Sequence, residues 1–305
     1  MKPLIISLLL IIFATLVITT LSFLVDSAEN FLTGASIPKN NAEVAGVQKY
    51  NIPPISKSIN PPQFSARAVL AKDLESSTIL FEKNLKTKLP IASTTKIMTA
   101  LVSSAYFAQN APLTVNSGAG IIGASAGFLK GETLSFRSLL YGMLLNSGND
   151  AAYSIAENYP GGVTGFVTAM NQKAKELNLL YTHFDNPAGF DSPNHFSSAE
   201  DLAIITQEAL KNPQLAKIFA TKETEVSSMD KTKTHSLRNL NKLLSSVVGV
   251  LGVKTGYTKE AKENLVGLVE RNNHRILTVV LGSNDRFGET SALIEWVYKN
   301  FTWSN

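Results

Sequence analysis

Lys88-Leu-Pro-Ile-Ala-Ser93-Thr-Thr-Lys96-Ile-Met-Thr-Ala100 is the stretch on which the reading of this chain turns. Pro90 stops a helix from extending backward, whereas Ile97, Met98, Leu101, Val102, Ala105 and Tyr106 recur at three- and four-residue spacing. A helix is therefore expected with Ser93 in its first turn. A serine hydroxyl is a poor nucleophile at neutral pH unless a base takes its proton, and a lysine three residues further along a helix lies on the same face. Ser93 and Lys96 have that spacing. Unpaired N–H groups at the start of a helix also favour a developing oxyanion. A cleft of low polarity with a second cation nearby depresses a lysine pKa toward the neutral range that a general base needs.

Two further strings follow in order: Ser147-Gly-Asn149, within Leu145-Asn-Ser-Gly-Asn-Asp-Ala-Ala152, and Lys254-Thr-Gly256, within Gly252-Val-Lys-Thr-Gly-Tyr-Thr258. Singly, the first two patterns carry little weight. Ser-x-x-Lys recurs at Ser36-Ile-Pro-Lys39, where proline forbids a helix, and at Ser228-Met-Asp-Lys231, in a polar stretch that reads as a loop. Ser-x-Asn recurs at Ser58-Ile-Asn60 and Ser192-Pro-Asn194, both beside or across a proline and both read as turns. Lys-Thr-Gly occurs once. The ordered triplet is the motif set of class A β-lactamases and penicillin-binding proteins, which form acyl-enzymes on a serine.

With their flanks, the three strings resemble the serine-type D-alanyl-D-alanine carboxypeptidases, the low-molecular-mass penicillin-binding proteins. Phe184-Asp-Asn186-Pro-Ala-Gly189-Phe-Asp191, His195-Phe-Ser-Ser-Ala-Glu-Asp201-Leu-Ala and Asn239-Leu-Asn241-Lys-Leu-Leu244 resemble the same family, so the likeness runs from about Ala66 to Gly282. It implies catalytic roles for Ser93, Lys96 and Ser147. Ser93 attacks the carbonyl of the penultimate D-alanine, Lys96 or Ser147 takes the first proton, and Ser147 passes a proton to the leaving amine. It implies substrate binding by Asn149, Lys254, Thr255, Gly256 and Tyr257: Asn149 on the substrate amide, Lys254 and Thr255 on the terminal carboxylate, and the Tyr257 N–H with that of Ser93 on the oxyanion. Gly256 allows close approach of the strand backbone. The implied partners are a peptidoglycan stem peptide ending in D-Ala-D-Ala and β-lactams as covalent inhibitors, with no cofactor. Lys262 and Asn264 stand where the family often has glycine and cysteine. The chain stops soon after Trp303, so the C-terminal β-domain of many relatives is expected to be absent.

Rival readings are tested by the same residues. Class A β-lactamases place a glutamate in an E-x-x-L-N string, and the Leu-Asn pairs here carry Gly142, Ala174 and Leu237 at that position, which argues against rapid β-lactam hydrolysis. A non-catalytic wall-binding or β-lactam-sensing domain is the other alternative. Gly118-Ala-Gly120-Ile-Ile-Gly123 matches a dinucleotide-binding pattern, but no amphipathic helix or acidic residue about 20 positions on supports it, so it is read as a flexible surface loop.

Composition sets the compartment and class. Absence of cysteine removes disulfides and thiolate metal sites, and His183, His195, His235 and His274 lack ligand spacing, so no metal is expected. A net charge of +4 is too mild to imply nucleic acid. Residues 3–25 are uncharged and long enough to cross a bilayer; Lys2 precedes them, and Asp26 and Glu29 follow. The expected organisation is an N-terminal anchor at 1–25, uncleaved rather than a removed signal, then a linker at 26–63 made extended by Ile52-Pro-Pro54 and Asn60-Pro-Pro62, then a peptidase domain at 64–305 outside the cytoplasm. Single-pass attachment to the cell membrane follows, with secretion as the alternative.

The domain itself reads as mixed α/β. Strands are expected at residues 65–72, 77–81, 247–253, 264–269 and 276–281, forming a five-stranded antiparallel sheet, with a hairpin at Arg271-Asn-Asn-His274. Helices are expected at 135–145, 150–159 and 291–301, the first two in a mostly helical lobe. The resemblance implies the β-lactamase/transpeptidase-like arrangement, with the site between sheet and lobe.

Overall fold

In the computed structural model, which describes residues 52–303, chain order begins with β1 (Ile55–Ser56), β2 (Ala68–Asp73) and β3 (Ile79–Lys83). A 3-10 turn, Ala92–Thr95, leads into α1 (Lys96–Tyr106), followed by β4 (Pro112–Thr114), β5 (Thr133–Ser135), α2 (Phe136–Leu145), α3 (Asn149–Glu157) and α4 (Gly162–Glu176). Then come α5 (Ala199–Leu210), α6 (Pro213–Ala220), β6 (Glu223–Ser227), β7 (Thr234–Arg238) and α7 (Leu243–Ser246). The chain closes with β8 (Val250–Thr258), β9 (Lys262–Arg271), β10 (His274–Ser283), α8 (Arg286–Asn300) and β11 (Phe301–Thr302).

The main sheet has the expected five strands in the order β3-β2-β10-β9-β8, all antiparallel. Alternation along β2 explains its layers. Val69 and Ala71 join Leu265, Val269, Ile276 and Val280 under the Leu293, Ile294 and Val297 face of α8, while Ala68 and Leu70 point to the opposite face with Val266, Leu268, Leu277 and Val279. That second face carries α5 and α6, and α1 packs between α5 and the α2–α4 lobe. The β9–β10 hairpin turns at Asn272 and Asn273, with φ of 51° and 63°. Two left-handed asparagines are the chemistry that a two-residue hairpin turn selects.

Where boundaries differ from expectation, hydrogen bonding overrode apolar periodicity. The last main strand was expected to stop at Val253 but continues through the polar motif, pairing Lys254 with Val266, Thr255 with Leu265 and Gly256 with Asn264. Helix α8 starts five residues before the expected 291, because the Asp285 side chain accepts from Gly288 N at 2.9 Å and caps it. Helix α2 begins one residue after the expected 135, with Ser135 as its cap accepting from Ser138 N at 3.1 Å.

The expected linker does not stay unstructured up to Gln63. Ile55 and Ser56 pair with Thr302 and Phe301, Ile59 N donates to Asn300 Oδ1 at 2.8 Å, and Trp296 Nε1 donates to Ile59 O at 2.9 Å. This stretch is fastened to α8 and its C-terminal extension. Residues 3–25, the expected anchor, lie outside the described residues; among those described, no helix is long and apolar enough to cross a membrane.

Asn264 is buried within β9, donating from Nδ2 to Pro90 O at 3.3 Å and accepting at Oδ1 from Gly282 N at 2.7 Å. It ties the segment before Ser93 to two main-sheet strands. This is a structural use for a residue that departs from the family pattern.

Candidate active site

Ser93 sits in the 3-10 turn rather than in the first turn of the α-helix, which begins at Lys96. Ile91 O accepts from Thr94 N and, at 2.7 Å, from Thr94 Oγ1, and Ala92 adopts a φ of 48°. A non-glycine residue there is strained by about 1–2 kcal/mol, and such strain is held only where surrounding contacts dictate it. They do so here. Thr95 Oγ1 donates to Ala92 O at 2.7 Å and contacts His195 Nε2 at 2.7 Å, while Asp185 N donates to His195 Nδ1 at 3.0 Å. Since Nδ1 accepts, the ring proton lies on Nε2 and is donated to Thr95. Burial first of all pushes the His195 pKa down to about 4, so the ring is a neutral brace beneath the turn that carries Ser93.

Lys96 is fully buried, and its ammonium nitrogen lies 3.0 Å from Ser93 Oγ, 2.8 Å from Asn149 Oδ1 and 2.7 Å from Ala188 O. The last two can only accept. A neutral amine that donates its two protons to them has one lone pair left, and the remaining contact is the serine hydroxyl. Desolvation, then the charge of Lys254, holds the Lys96 pKa well below the ordinary lysine value, with Asp150 opposing. Lys254 is also buried and donates to Ser147 Oγ at 2.9 Å and Thr255 O at 3.0 Å. Ser147, with φ of 58°, is fixed in the left-handed region at the loop before α3.

Five of the side chains singled out from sequence thus fall into two hydrogen-bonded groups, Ser93, Lys96 and Asn149 in one and Ser147 and Lys254 in the other. Gly256 brings β8 against the turn of Ser93: a Cβ there would stand 3.0 Å from Ile91 O and 3.1 Å from Ser93 N. Thr255 is buried on the same strand, whereas Tyr257, beyond Gly256, is 63% exposed.

Several supporting groups carried no assigned role in the sequence reading. Asn186 Oδ1 accepts from Ala188 N, Gly189 N and Phe190 N, shaping the loop that turns Ala188 O toward Lys96. Asp150, buried, accepts from Ala126 N at 2.9 Å and Gly127 N at 3.0 Å, anchoring the connection between β4 and β5 to the start of α3. Arg286 donates to Gly256 O at 2.8 Å, and its charge adds to burial in lowering Lys254. The Asp-Asn-Pro-Ala-Gly string was a usable signal. Arg286, a lone arginine, gave none.

The glycine-rich segment expected to be a surface loop is exposed from Gly120 to Ser125 apart from the half-buried Ile121, and it also hydrogen-bonds to Asn149. Ser117–Gly120 is a 3-10 turn whose Gly118 N donates to Glu157 Oε2 at 3.3 Å. Further on, Ile122 O accepts from Asn149 Nδ2 at 2.9 Å and Ala124 O from Asn149 N at 2.7 Å. Those bonds orient the Asn149 amide so that its oxygen faces Lys96. The second Ser-x-x-Lys string lies, as read, in the turn between β6 and β7, where Ser228 Oγ donates to Asp230 Oδ1 at 2.6 Å.

The sequence profile of the D-alanyl-D-alanine carboxypeptidase family of peptidases matches residues 55–285. The chain belongs to this family. Among its members, D-alanyl-D-alanine carboxypeptidase DacF of Bacillus subtilis is 34% identical over 245 residues, covering 77% of this chain and 63% of the relative. DacC of Escherichia coli is 33% identical over 262 residues, covering 80% of this chain and 64% of the relative. The match therefore spans slightly under two thirds of the length of these carboxypeptidases. The crystal structure of the Streptomyces K15 DD-transpeptidase superposes with a TM-score of 0.76 at 31% identity, covering 79% of this chain and all of that one. The expected fold is the one observed.

Two measurable consequences follow from this geometry. Gly189 has a φ of 94°, and a Cβ added to it would stand 1.9 Å from Ala92 O. Gly189→Ala is expected to cost about 2–3 kcal/mol, lowering the melting temperature by roughly 5–10 °C, and to slow acylation by a fluorescent penicillin as the Ala188 and Ala92 carbonyls separate. A variant with wild-type melting and labelling would refute the tight packing.

The second concerns Lys254, whose pKa burial and the neighbouring Arg286 lower from 10.5 to about 7. Between these values the unfolded chain holds the extra proton, so the contribution of Lys254 to stability rises with pH across that window and is at its minimum below about 7. Lys254→Met is expected to melt higher than wild type at pH 6, with the difference shrinking toward pH 9. Melting curves at both pH values check this; a gap that widens with pH contradicts it.

Proposed function

We propose that this chain is a serine D-alanyl-D-alanine carboxypeptidase that removes the terminal D-alanine from peptidoglycan stem peptides through an acyl-enzyme, and that residues 3–25 attach it to the cell membrane with the peptidase domain outside the cytoplasm. The observation that carries the reaction is the three-way coordination of Lys96, whose free lone pair meets Ser93 Oγ at 3.0 Å. Lys96 takes the hydroxyl proton as Ser93 Oγ bonds to the carbonyl carbon of the penultimate D-alanine. The backbone N–H groups of Ser93 and Tyr257 receive the oxyanion. Collapse breaks the peptide bond, the leaving amine gains a proton through Ser147, and water then hydrolyses the ester. Lys254 and Thr255 hold the terminal carboxylate, which favours the protonated form of a lysine otherwise titrating at about 7. Asn149 holds the substrate amide. β-Lactams present a carboxylate and a strained amide to the same groups and acylate Ser93.

Purified protein incubated with a stem pentapeptide is expected to release D-alanine, and with a chromogenic β-lactam to show little turnover. The reverse pattern would favour the β-lactamase alternative, and neither activity a binding or sensing domain. In its native host the full chain is expected in the membrane fraction and resistant to high-salt extraction; a mature protein beginning near Ala28 would instead mean a secreted enzyme.

A further inference from the structure

Asp150 is a buried carboxylate that the reaction described above does not use. It lies in the first turn of α3, directly after Asn149. Its Oδ1 accepts from Ala126 N and Ala151 N, both at 2.9 Å, and its Oδ2 from Ser125 Oγ at 2.6 Å, Gly127 N at 3.0 Å and Phe128 N at 3.2 Å. Three successive backbone N–H groups closing on one carboxylate form an anion nest. Both oxygens accept and none of these donors is charged, so the group keeps its negative charge. Glycine at the centre of Ser147-Gly-Asn149 makes room for it: a Cβ on Gly148 would stand 2.5 Å from Asp150 Oδ1. Burying a charge is unfavourable unless hydrogen bonds and an opposite charge offset it.

Two routes lead from this carboxylate to Lys96. Along the chain, the stretch held by Asp150 at 126–128 continues directly from the one in which Ile122 O and Ala124 O accept from the Asn149 amide nitrogen and backbone N–H. The contact is close, since a Cβ on Gly123 would stand 2.9 Å from Asn149 Nδ2. Asn149 Oδ1 in turn accepts from Lys96 Nζ at 2.8 Å and so helps aim the amine at Ser93. Through space, the charge of Asp150 acts on Lys96 in opposition to burial and to Lys254 of β8. The other titratable groups at this centre are His195, in the segment before α5 and kept neutral by burial, and Arg286 of α8, which acts on Lys254.

We propose that Asp150 is a positioning residue for acylation: its carboxylate holds residues 122–128 against Asn149, and its negative charge balances the two buried lysines. This rests on Lys96 as the base of the proposed reaction. Without the carboxylate, three successive N–H groups lose their partner, the segment slackens, and Asn149 no longer fixes the direction of the Lys96 lone pair. Misplacing a reacting group by about 1 Å is enough to slow a reaction on the order of a hundredfold. Without the negative charge, the protonated form of Lys96 loses a favourable neighbour, so the amine gives up its proton at lower pH.

The test is the rate of acylation of the full chain by a fluorescent penicillin, measured across the pH range in which the wild-type rate rises to its plateau. Asp150→Asn is expected to lower the plateau by about tenfold or more and to move the midpoint of the rise to lower pH. A purely structural role would lower the rate equally at every pH. Asp150→Glu keeps the charge on a longer stem, so its plateau is expected to fall while its midpoint stays at the wild-type value. Ser125→Ala removes one hydroxyl donor and leaves the nest, and is expected to match the wild type in both. An Asp150→Asn midpoint at or above the wild-type value, or wild-type plateaus in both Asp150 variants, overturns the proposal. If Asp150→Asn does not fold, Asp150→Glu decides alone: a wild-type plateau, or a midpoint displaced to lower pH, overturns it. A wild-type rate that does not rise with pH removes Lys96 as the base and this proposal with it. By contrast, pH-dependent labelling without release of D-alanine from a pentapeptide defeats the carboxypeptidase reading and leaves Asp150 in its role.

Discussion

Ser93→Ala is expected to lower covalent labelling by a fluorescent penicillin and D-alanine release from a pentapeptide by at least about a thousandfold, because removing a nucleophile leaves only binding and oxyanion contacts. The fold is expected to survive, since among the described residues the Ser93 side chain makes a single hydrogen bond, to Lys96. Ser228→Ala serves as the control within the same sequence pattern. Its hydroxyl is tied to Asp230 in the β6–β7 turn, so labelling is expected to stay at the wild-type level. Undiminished labelling of Ser93→Ala, or loss confined to Ser228→Ala, would overturn the assignment of the nucleophile.

Lys96→Arg is expected to be the next most damaging change, slowing acylation by about 10²–10⁴-fold. Arginine keeps the charge and the donors but is not deprotonated in proteins, so it cannot take the serine proton. Lys96→Met retains a long apolar stem, removes the buried charge, and is expected to be equally inactive while remaining folded. The wild-type pH profile supplies the sign. Burial and Lys254 lower the Lys96 pKa well below the ordinary lysine value, so acylation rises with pH as the amine loses its proton and levels off well short of the range in which an exposed lysine titrates. Acylation of Lys96→Arg at the wild-type rate, or a profile that still climbs through that range, would remove Lys96 from the role of base.

The three short motifs were legible because each couples a local conformation to a chemistry. Ser93 and Lys96 are one turn apart behind a proline, and this spacing alone puts hydroxyl and amine within reach of each other; the observed 3.0 Å bears that out. The main sheet was legible for a similar reason. Strand and hairpin signals are local, as in the paired asparagines at 272 and 273 between two valine- and leucine-rich runs. Boundaries were less so: β8 runs through Lys254-Thr-Gly256 because a neighbouring strand supplies hydrogen bonds there, and no window of apolar periodicity registers such a partner.

By itself, then, the sequence determined the candidate nucleophile and its candidate base, the five-stranded antiparallel sheet and the family to which the chain belongs, because these rest on contacts within a few residues or on motif order. Only the tertiary structure decided why the Lys96 amine faces Ser93. Its other two partners, Asn149 Oδ1 and Ala188 O, lie 53 and 92 residues away in sequence, and its low pKa comes from burial and from Lys254. The fastening of Ile55–Ile59 to the last helix, the hydrogen bonds that tie the loop after the glycine-rich string to Asn149, and the bracing of Ala92 by His195 through Thr95 belong to the same class. Each joins segments distant in sequence, and desolvation and hydrogen-bond geometry between such segments exist only once the chain has folded.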